Sequence, residues 1–336
     1  MKLQQLRFLA AVAQSGLNIT AAAARLRASQ PAISRQLKLL EEELGFEIFA
    51  RSGRSLVKIT PSGQQVVDRA LRILHDARVI RRISDEFKEK TRGTLAIGTT
   101  HTQARYVLPS VIQKFRERYP AVHLHLHQGT SDQIAEMARL DRLDLVIATG
   151  SQELFSQFVL LPCYQWNRRI VVPRGHALAN VEKPTLAQLA QYPIITYVFG
   201  LAGPGALIEL FAAAGLVPNV ALTARDADII KTYVKLGLGI GIVADVAIDP
   251  GIDKGLVSLD ASHLFPTHTT WAGFMRGGLL RGYMYDFLQL FAPHLGRRLV
   301  ESAAAAESQE ESEALFAHIE LPTRTAASTQ IAAIEP

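Results

Sequence analysis

Ser29, Gln30, Ser34, Arg35 and Lys38 cluster around Pro31, and Arg51 and Arg54 follow them closely. Arginine and lysine donate to guanine or to phosphate, and glutamine pairs with adenine, so this set has the chemistry for reading duplex DNA. A second set, Thr99, Thr100, Thr102, Thr149 and Trp166, supplies neutral hydroxyl and indole donors, which suit a fully ionised small anion. Three other groups have competing explanations. His123, His125 and His127 alternate and would share one face of a strand, but histidines on a half-buried strand ordinarily serve local hydrogen bonds, so no metal is expected. Gly237, Gly239 and Gly241 lack the spacing of a dinucleotide loop, so no nucleotide cofactor is expected. Cys163 has no evident base beside it and is expected to be a small buried hydrophobe; no catalytic residue is assigned.

The elements that must carry these side chains follow from composition and periodicity. At 336 residues, 48% hydrophobic and 20% charged, the chain is long enough for two or three domains and too apolar for disorder. One cysteine excludes an intrachain disulfide and fits the cytoplasm. The apolar run Phe8 to Ala13 is too short for a secretion signal, and Leu236 to Ile248 is too short to span a bilayer, so no membrane partner is expected. Residues 1–92 carry a net charge of +8, against +5 for the whole chain, and no acid precedes Glu41. A basic first quarter points to a polyanion.

Leu3, Leu6, Phe8, Leu9 and Val12 mark a first helix; Asn18 or Thr20 caps a second over 21–26; Ser29 caps a third. On the third, Ile33, Leu37, Leu40 and Leu44 face inward, leaving Pro31, Arg35 and Lys38 outside, flanked by Gln30 and Ser34. This is the helix-turn-helix arrangement, whose second helix enters the major groove. Two β-prone stretches, 46–49 and 56–60, form a wing with Arg51 and Arg54 at its tip. A long helix from Pro61 carries Val66, Ala70, Ile73, Ala77, Ile80 and Phe87 in an approximate heptad rhythm, a stripe that pairing with a second copy would cover. From Gly93 strands and helices alternate, which implies α/β sheets with mainly parallel strands, and the pattern repeats after residue 165 to give two lobes. Thr99, Thr100, Thr102 and Thr149 lie where strands end, the edge at which open α/β sheets bind ligands. The acidic, alanine-rich stretch from Glu301 reads as one helix through Phe316, with no structure expected beyond Pro322.

The run Ser29-Gln30-Pro31-Ala32-Ile33-Ser34 with Leu37 and Leu40-Glu41 resembles the LysR-type transcriptional regulators, and the likeness extends over nearly the whole chain. Thr99 to Tyr106, Leu161 to Tyr164 with Trp166-Asn167-Arg168, Asp226 to Val234, and Tyr283 to Phe287 are similar to the members that govern sulfur assimilation and cysteine biosynthesis. The resemblance implies a winged helix-turn-helix over 1–60, a dimerisation helix over 61–91 and an effector domain over 92–300. That domain would be two Rossmann-like lobes of periplasmic-binding-protein type, lobe I over 92–163 plus 267–292 and lobe II over 164–266, before a tail over 301–336.

The resemblance further implies promoter DNA as partner, a dimer-of-dimers assembly and effector contacts at Thr100, Thr102, Gln103, Thr149 and Trp166. The implied effectors are N-acetylserine or O-acetylserine, with sulfate or thiosulfate as opposing ligands; a regulator of sulfonate use is the alternative. Where relatives have a threonine in the second lobe this chain has Ala202, one hydroxyl fewer for an anion. A rival from another class is a binding protein or enzyme whose basic N-terminus only mediates assembly.

Overall fold

The computed structural model describes residues 1–53, 55–88, 91–140, 142–150, 152–198 and 206–325. The chain divides into two compact units, residues 1–89 and 90–336.

The first unit opens with α1 (Leu3–Gln14), α2 (Ile19–Leu26) and α3 (Gln30–Leu44). Asn18, rather than Thr20, caps α2 by accepting from Ala21 N at 2.9 Å. Arg27 ends α2 in the left-handed region (φ 51°), folding its N–H back onto the last carbonyls. Ile33, Leu37 and Leu40 of α3 are buried against Leu6, Leu9 and Val12, whereas Leu44 is only partly buried. The wing is shorter than expected at its start: β1 is Phe49–Ser52 and β2 is Ser55–Ile59, paired antiparallel with Phe49 opposite Ile59. At its start Glu41 accepts from the N–H groups of Ile48 and Phe49, at 2.9 and 3.1 Å. The turn into α4 (Pro61–Lys88) requires Gly63, since a Cβ there would meet Ile48 O at 2.2 Å.

At 1.5 Å per residue the 28 residues of α4 span about 42 Å. Among its described side chains Val67, Ala70 and Leu74 join the core of the unit, so the inward stripe there is offset from the expected one. Ile73 and Ile80 lie outside it, 38% and 67% exposed, and the side chain of Phe87 falls outside the described residues.

The second unit begins with β3 (Gly93–Thr99), a π-helical turn (Gln103–Val107), α5 (Leu108–Arg118), β4 (Val122–Gln128), α6 (Ser131–Arg139), β5 (Leu145–Thr149) and β6 (Phe158–Trp166). After Asn167 come β7 (Arg168–Pro173), α7 (Leu186–Leu189), β8 (Ile194–Tyr197), α8 (Leu207–Ala213), β9 (Val220–Ala224), α9 (Ala227–Lys235), β10 (Ile240–Ala244) and β11 (Leu256–Asp260). The chain then returns as β12 (His268–Met275), followed by α10 (Gly282–Phe291), α11 (Arg297–Ala305) and α12 (Gln309–Ala314).

Two five-stranded sheets result, ordered β4-β3-β5-β12-β6 and β11-β7-β10-β8-β9. In each, four strands share a direction and one opposes them, β12 in the first and β7 in the second. The two crossings between lobes are therefore Asn167 and the stretch 261–267. The π-helical turn leads into α5, which starts beside Pro109, whose missing N–H costs little in a first turn. Phe115 and Phe287 meet edge to face at 5.4 Å in the core of lobe I.

The C-terminal stretch departs from expectation twice. It forms two helices, because the chain is extended at Ala306 and restarts where Ser308 accepts from Glu311 N at 3.1 Å. Residues 323–325 are held against β6: Gln165 N donates to Pro322 O at 2.9 Å, Arg324 N donates to Gln165 O at 2.8 Å, and Thr323 bridges to Gln165, while the expectation for 326–336 lies outside the described residues. The Arg324 guanidinium lies over the rings of Tyr164 and Phe291, at 4.6 and 5.4 Å, a contact no local pattern announces.

Candidate functional site

On the first unit, Ser29 accepts from Ala32 N at 3.3 Å and so starts α3. Gln30, Pro31, Arg35 and Lys38 are exposed and Ser34 is half-buried, so one end of α3 presents a polar, basic surface. Lys38 has only a loose neighbour, Glu42 at 3.7 Å, and both remain largely in solvent. Arg51 is a strand residue rather than a tip residue, and its Nη2 donates to Glu41 Oε2 at 2.6 Å. Glu41 thus ties the wing to α3 through one ion pair and two backbone bonds. Arg54 lies outside the described residues.

On the second unit the anion-binding candidates converge at the ends of β3 and β5. These strands pair in parallel with Thr99 opposite Ile147, so Thr100 and Thr149 emerge at one edge. The centre of the cluster is Thr270, fully buried on the returning strand β12. Its Oγ1 accepts from Gln103 Nε2 at 3.3 Å and from Trp166 Nε1 at 3.2 Å, and is hydrogen-bonded to Thr149 Oγ1 at 2.9 Å. Gln103 is itself buried, with its Oε1 accepting from the Tyr164 hydroxyl, so it touches the site through Thr270. Burial pushes the Tyr164 phenol above its usual range, which keeps it a neutral donor. Thr100 is half-buried, and its carbonyl accepts from Ala104 N at 3.0 Å. Thr102 is buried and its hydroxyl lies against the phenol of Tyr197 from lobe II. Thr99 Oγ1 is buried without a partner among the described residues. Ala202, with Gly200 and Gly203, lies outside them.

A second cluster joins the lobes. Tyr106 donates to Asp228 Oδ1 at 2.6 Å, Lys231 Nζ reaches the Tyr106 oxygen at 3.0 Å, and His101 Nε2 meets Asp228 Oδ2 at 3.3 Å. Burial alone would raise the Asp228 carboxyl, but bonds from Tyr106 and His101 and the charges of Lys231 and Arg105 outweigh it and lower it. Potential ligand atoms of His101, Asp226 and Asp228 lie within 4.8 Å of one another. A dication there would face Lys231 and Arg105, 3.9 and 3.8 Å from Asp228, so the arrangement is an ion-pair network between lobes.

The remaining chemical candidates are structural. His125 and His127 stack at 6.5 Å on β4, the edge of the first sheet. Burial pushes the Cys163 thiol up to about 12, so it is no nucleophile near neutral pH. Gly239 passes so close to Pro193 that a Cβ would meet its carbonyl at 2.3 Å, which accounts for that glycine without a nucleotide.

Two family descriptions match these two units. Residues 3–64 match the bacterial regulatory helix-turn-helix protein, lysR family, and residues 88–296 match the LysR substrate binding domain. The chain belongs to the LysR family of transcriptional regulators. It is 46% identical to the HTH-type transcriptional regulator CysB of Haemophilus influenzae over 324 residues, 96% of this chain and all of that one. It is also 46% identical to the regulator SsuR of Burkholderia cenocepacia, over 88% of this chain and 96% of its relative. Among solved structures, the cofactor-binding domain of the Cbl transcriptional regulator matches with a TM-score of 0.60 and 40% identity, covering 64% of this chain and 95% of that one.

As a LysR-family regulator the chain places a DNA-reading helix on one unit and an effector domain on the other. No described helix is long and apolar enough to cross a membrane. Sequence reasoning passed over Thr270, Tyr164 and His268. The available signal was the return of the chain near residue 267, which brings His268-Thr269-Thr270 beside Trp166. Glu41 was passed over because its partners, Ile48, Phe49 and Arg51, depend on the path of the wing.

Proposed function

We propose that this chain regulates promoters of sulfur-assimilation and cysteine-biosynthesis genes in response to a small anion. The effector would be N-acetylserine or O-acetylserine, with sulfate or thiosulfate opposing it. The observation that carries this reading is the Thr270 node, where Thr149, Trp166 and Gln103 meet beside Thr100 and Thr102. Neutral donors at the carboxyl edge of a sheet suit a fully ionised ligand. The likeness to CysB and SsuR supports the sulfur connection.

Contacts to DNA are assigned to Ser29, Gln30, Pro31, Ser34, Arg35, Lys38, Arg51 and Arg54, and effector contacts to Thr100, Thr102, Gln103, Thr149 and Trp166. The outer stripe of α4, Ile73 and Ile80, would pair two copies, and two pairs would make the tetramer. Effector and opposing ligand must bind two lobe arrangements unequally for the spacing of the DNA-reading pairs to change.

Gel shift on promoter fragments from sulfur genes tests the reading. Retention that falls steeply with salt and is weakened about tenfold or more by Arg35→Ala supports it. Calorimetry on Thr102→Ala should show the effector response lost with DNA binding kept, and unchanged effector affinity refutes the site. Ala202 removes a hydroxyl expected from lobe II, and the alternative targets are genes of sulfonate use. Thermal-shift comparison of sulfate, thiosulfate, the acetylserines and adenylylsulfate separates the two.

A further inference from the structure

Among the described residues two cationic side chains are buried, Lys231 and Arg168, and they are treated differently. Lys231 donates to Asp253 Oδ2 at 2.8 Å, to Ala247 O at 2.8 Å and to the Tyr106 oxygen at 3.0 Å. Among the described residues Arg168 has no carboxylate partner. Its Nε donates to His268 Nε2 at 3.3 Å, its plane lies 5.7 Å from the Phe265 ring, and its Nη1 is buried with no partner. The neighbouring acid, Asp245, pairs with Arg169.

An ionised guanidinium taken out of water without a counter-charge is costly, and a ring face does not supply the missing acceptor. Arginine stays protonated even when burial lowers its basicity, so the remedy is an anion and not loss of the proton. The position of Arg168 indicates which anion. It begins β7 immediately after the Asn167 crossing, and the His268 ring that accepts from it stacks on Trp166 at 4.6 Å. The Trp166 indole donates in turn to Thr270, so Arg168 lies one aromatic layer from the oxyanion donors. On the other side, the Tyr197 phenol feels both the Thr102 hydroxyl and the charge of Arg168.

We propose that Arg168 is a specificity-determining ligand of the effector domain, whose free guanidinium edge takes the carboxylate of a small organic acid at the crossing between lobes. The proposal rests on the effector reading given above and extends it. With Nε held by His268 and Nη1 without a partner among the described residues, the far end of the planar guanidinium matches a planar carboxylate, while the threonine donors serve a tetrahedral oxyanion.

Calorimetry on the full chain with N-acetylserine and with sulfate, for the wild type, Arg168→Met and Arg168→Lys, tests it. Arg168→Met should weaken N-acetylserine about ten- to hundredfold and leave sulfate within about twofold, with Arg168→Lys between wild type and Met. The melting temperature of ligand-free Arg168→Met should equal or exceed that of the wild type, because an uncompensated charge is removed. Unchanged N-acetylserine affinity overturns the proposal. Equal losses for both ligands with a lowered melting temperature also overturn it and make Arg168 a packing residue. If the wild type binds neither ligand, the effector reading itself fails and takes this extension with it.

Discussion

Replacing Thr270 with valine keeps the shape of the side chain and removes one oxygen, so its effect isolates the polar node. Thr149 is half-buried and can turn to water, but Gln103 Nε2 and Trp166 Nε1 belong to buried side chains and lose their acceptor. Each orphaned donor costs about 1–3 kcal/mol, so about 3 kcal/mol is expected after relaxation. For a unit of this size that corresponds to a fall of about 6–12 °C in its calorimetric melting temperature. Thr270→Ser keeps the oxygen and loses one methyl, about 1 kcal/mol, and so serves as the control. Sulfate affinity should fall in the valine variant as well, since Trp166 and Thr149 lose the atom that orients them. Melting of Thr270→Val within about 2 °C of wild type would refute the view that this node is a satisfied, load-sharing network.

Three further perturbations address other parts of the chain. Glu41→Ala should destabilise the first unit by about 2 kcal/mol and weaken promoter retention in gel shift, while Glu41→Gln keeps an acceptor for Ile48 and Phe49 and loses less than half as much. Ile73→Asp with Ile80→Asp should convert the assembly to a smaller species in light scattering and weaken promoter binding at least about tenfold, as paired readers require. The acid limb of stability should depend on His268, which burial, then the Arg168 charge, depresses from 6.5 to about 4. The unfolded chain binds this proton first as pH falls, so stability present above about pH 6.5 is lost towards pH 4. His268→Asn should flatten urea midpoints over that window, and an unchanged pH profile would contradict the assignment.

Local signals were the legible ones. Asn18, Ser29 and Pro31 announce helix starts in the sequence, and Ile33, Leu37 and Leu40 announce an inward face, because caps and periodicity depend on neighbours within a turn or two. The two α/β lobes and the edge carrying Thr100 and Thr149 were legible through the alternation of strands and helices. The face of α4 was not: Val66 and Val67 are adjacent, both series are apolar, and contact with α1 decides between them. Thr270 and Trp166 are 104 residues apart, and local spacing carries no information about such a pair. The tail was illegible for the same reason, since Arg324 finds its aromatic partners only once Tyr164 and Phe291 are packed together.

That tail has a practical bearing. β6 is the outermost strand of its sheet, and an edge strand left unpaired is a template for another extended chain. Pro322 to Arg324 occupy part of that edge through Gln165. Clipping the chain before residue 322 would strip that guard from the strand and favour edge-on-edge pairing. Preparations should therefore carry any purification handle beyond the last residue and be checked by mass spectrometry for loss of the C-terminus.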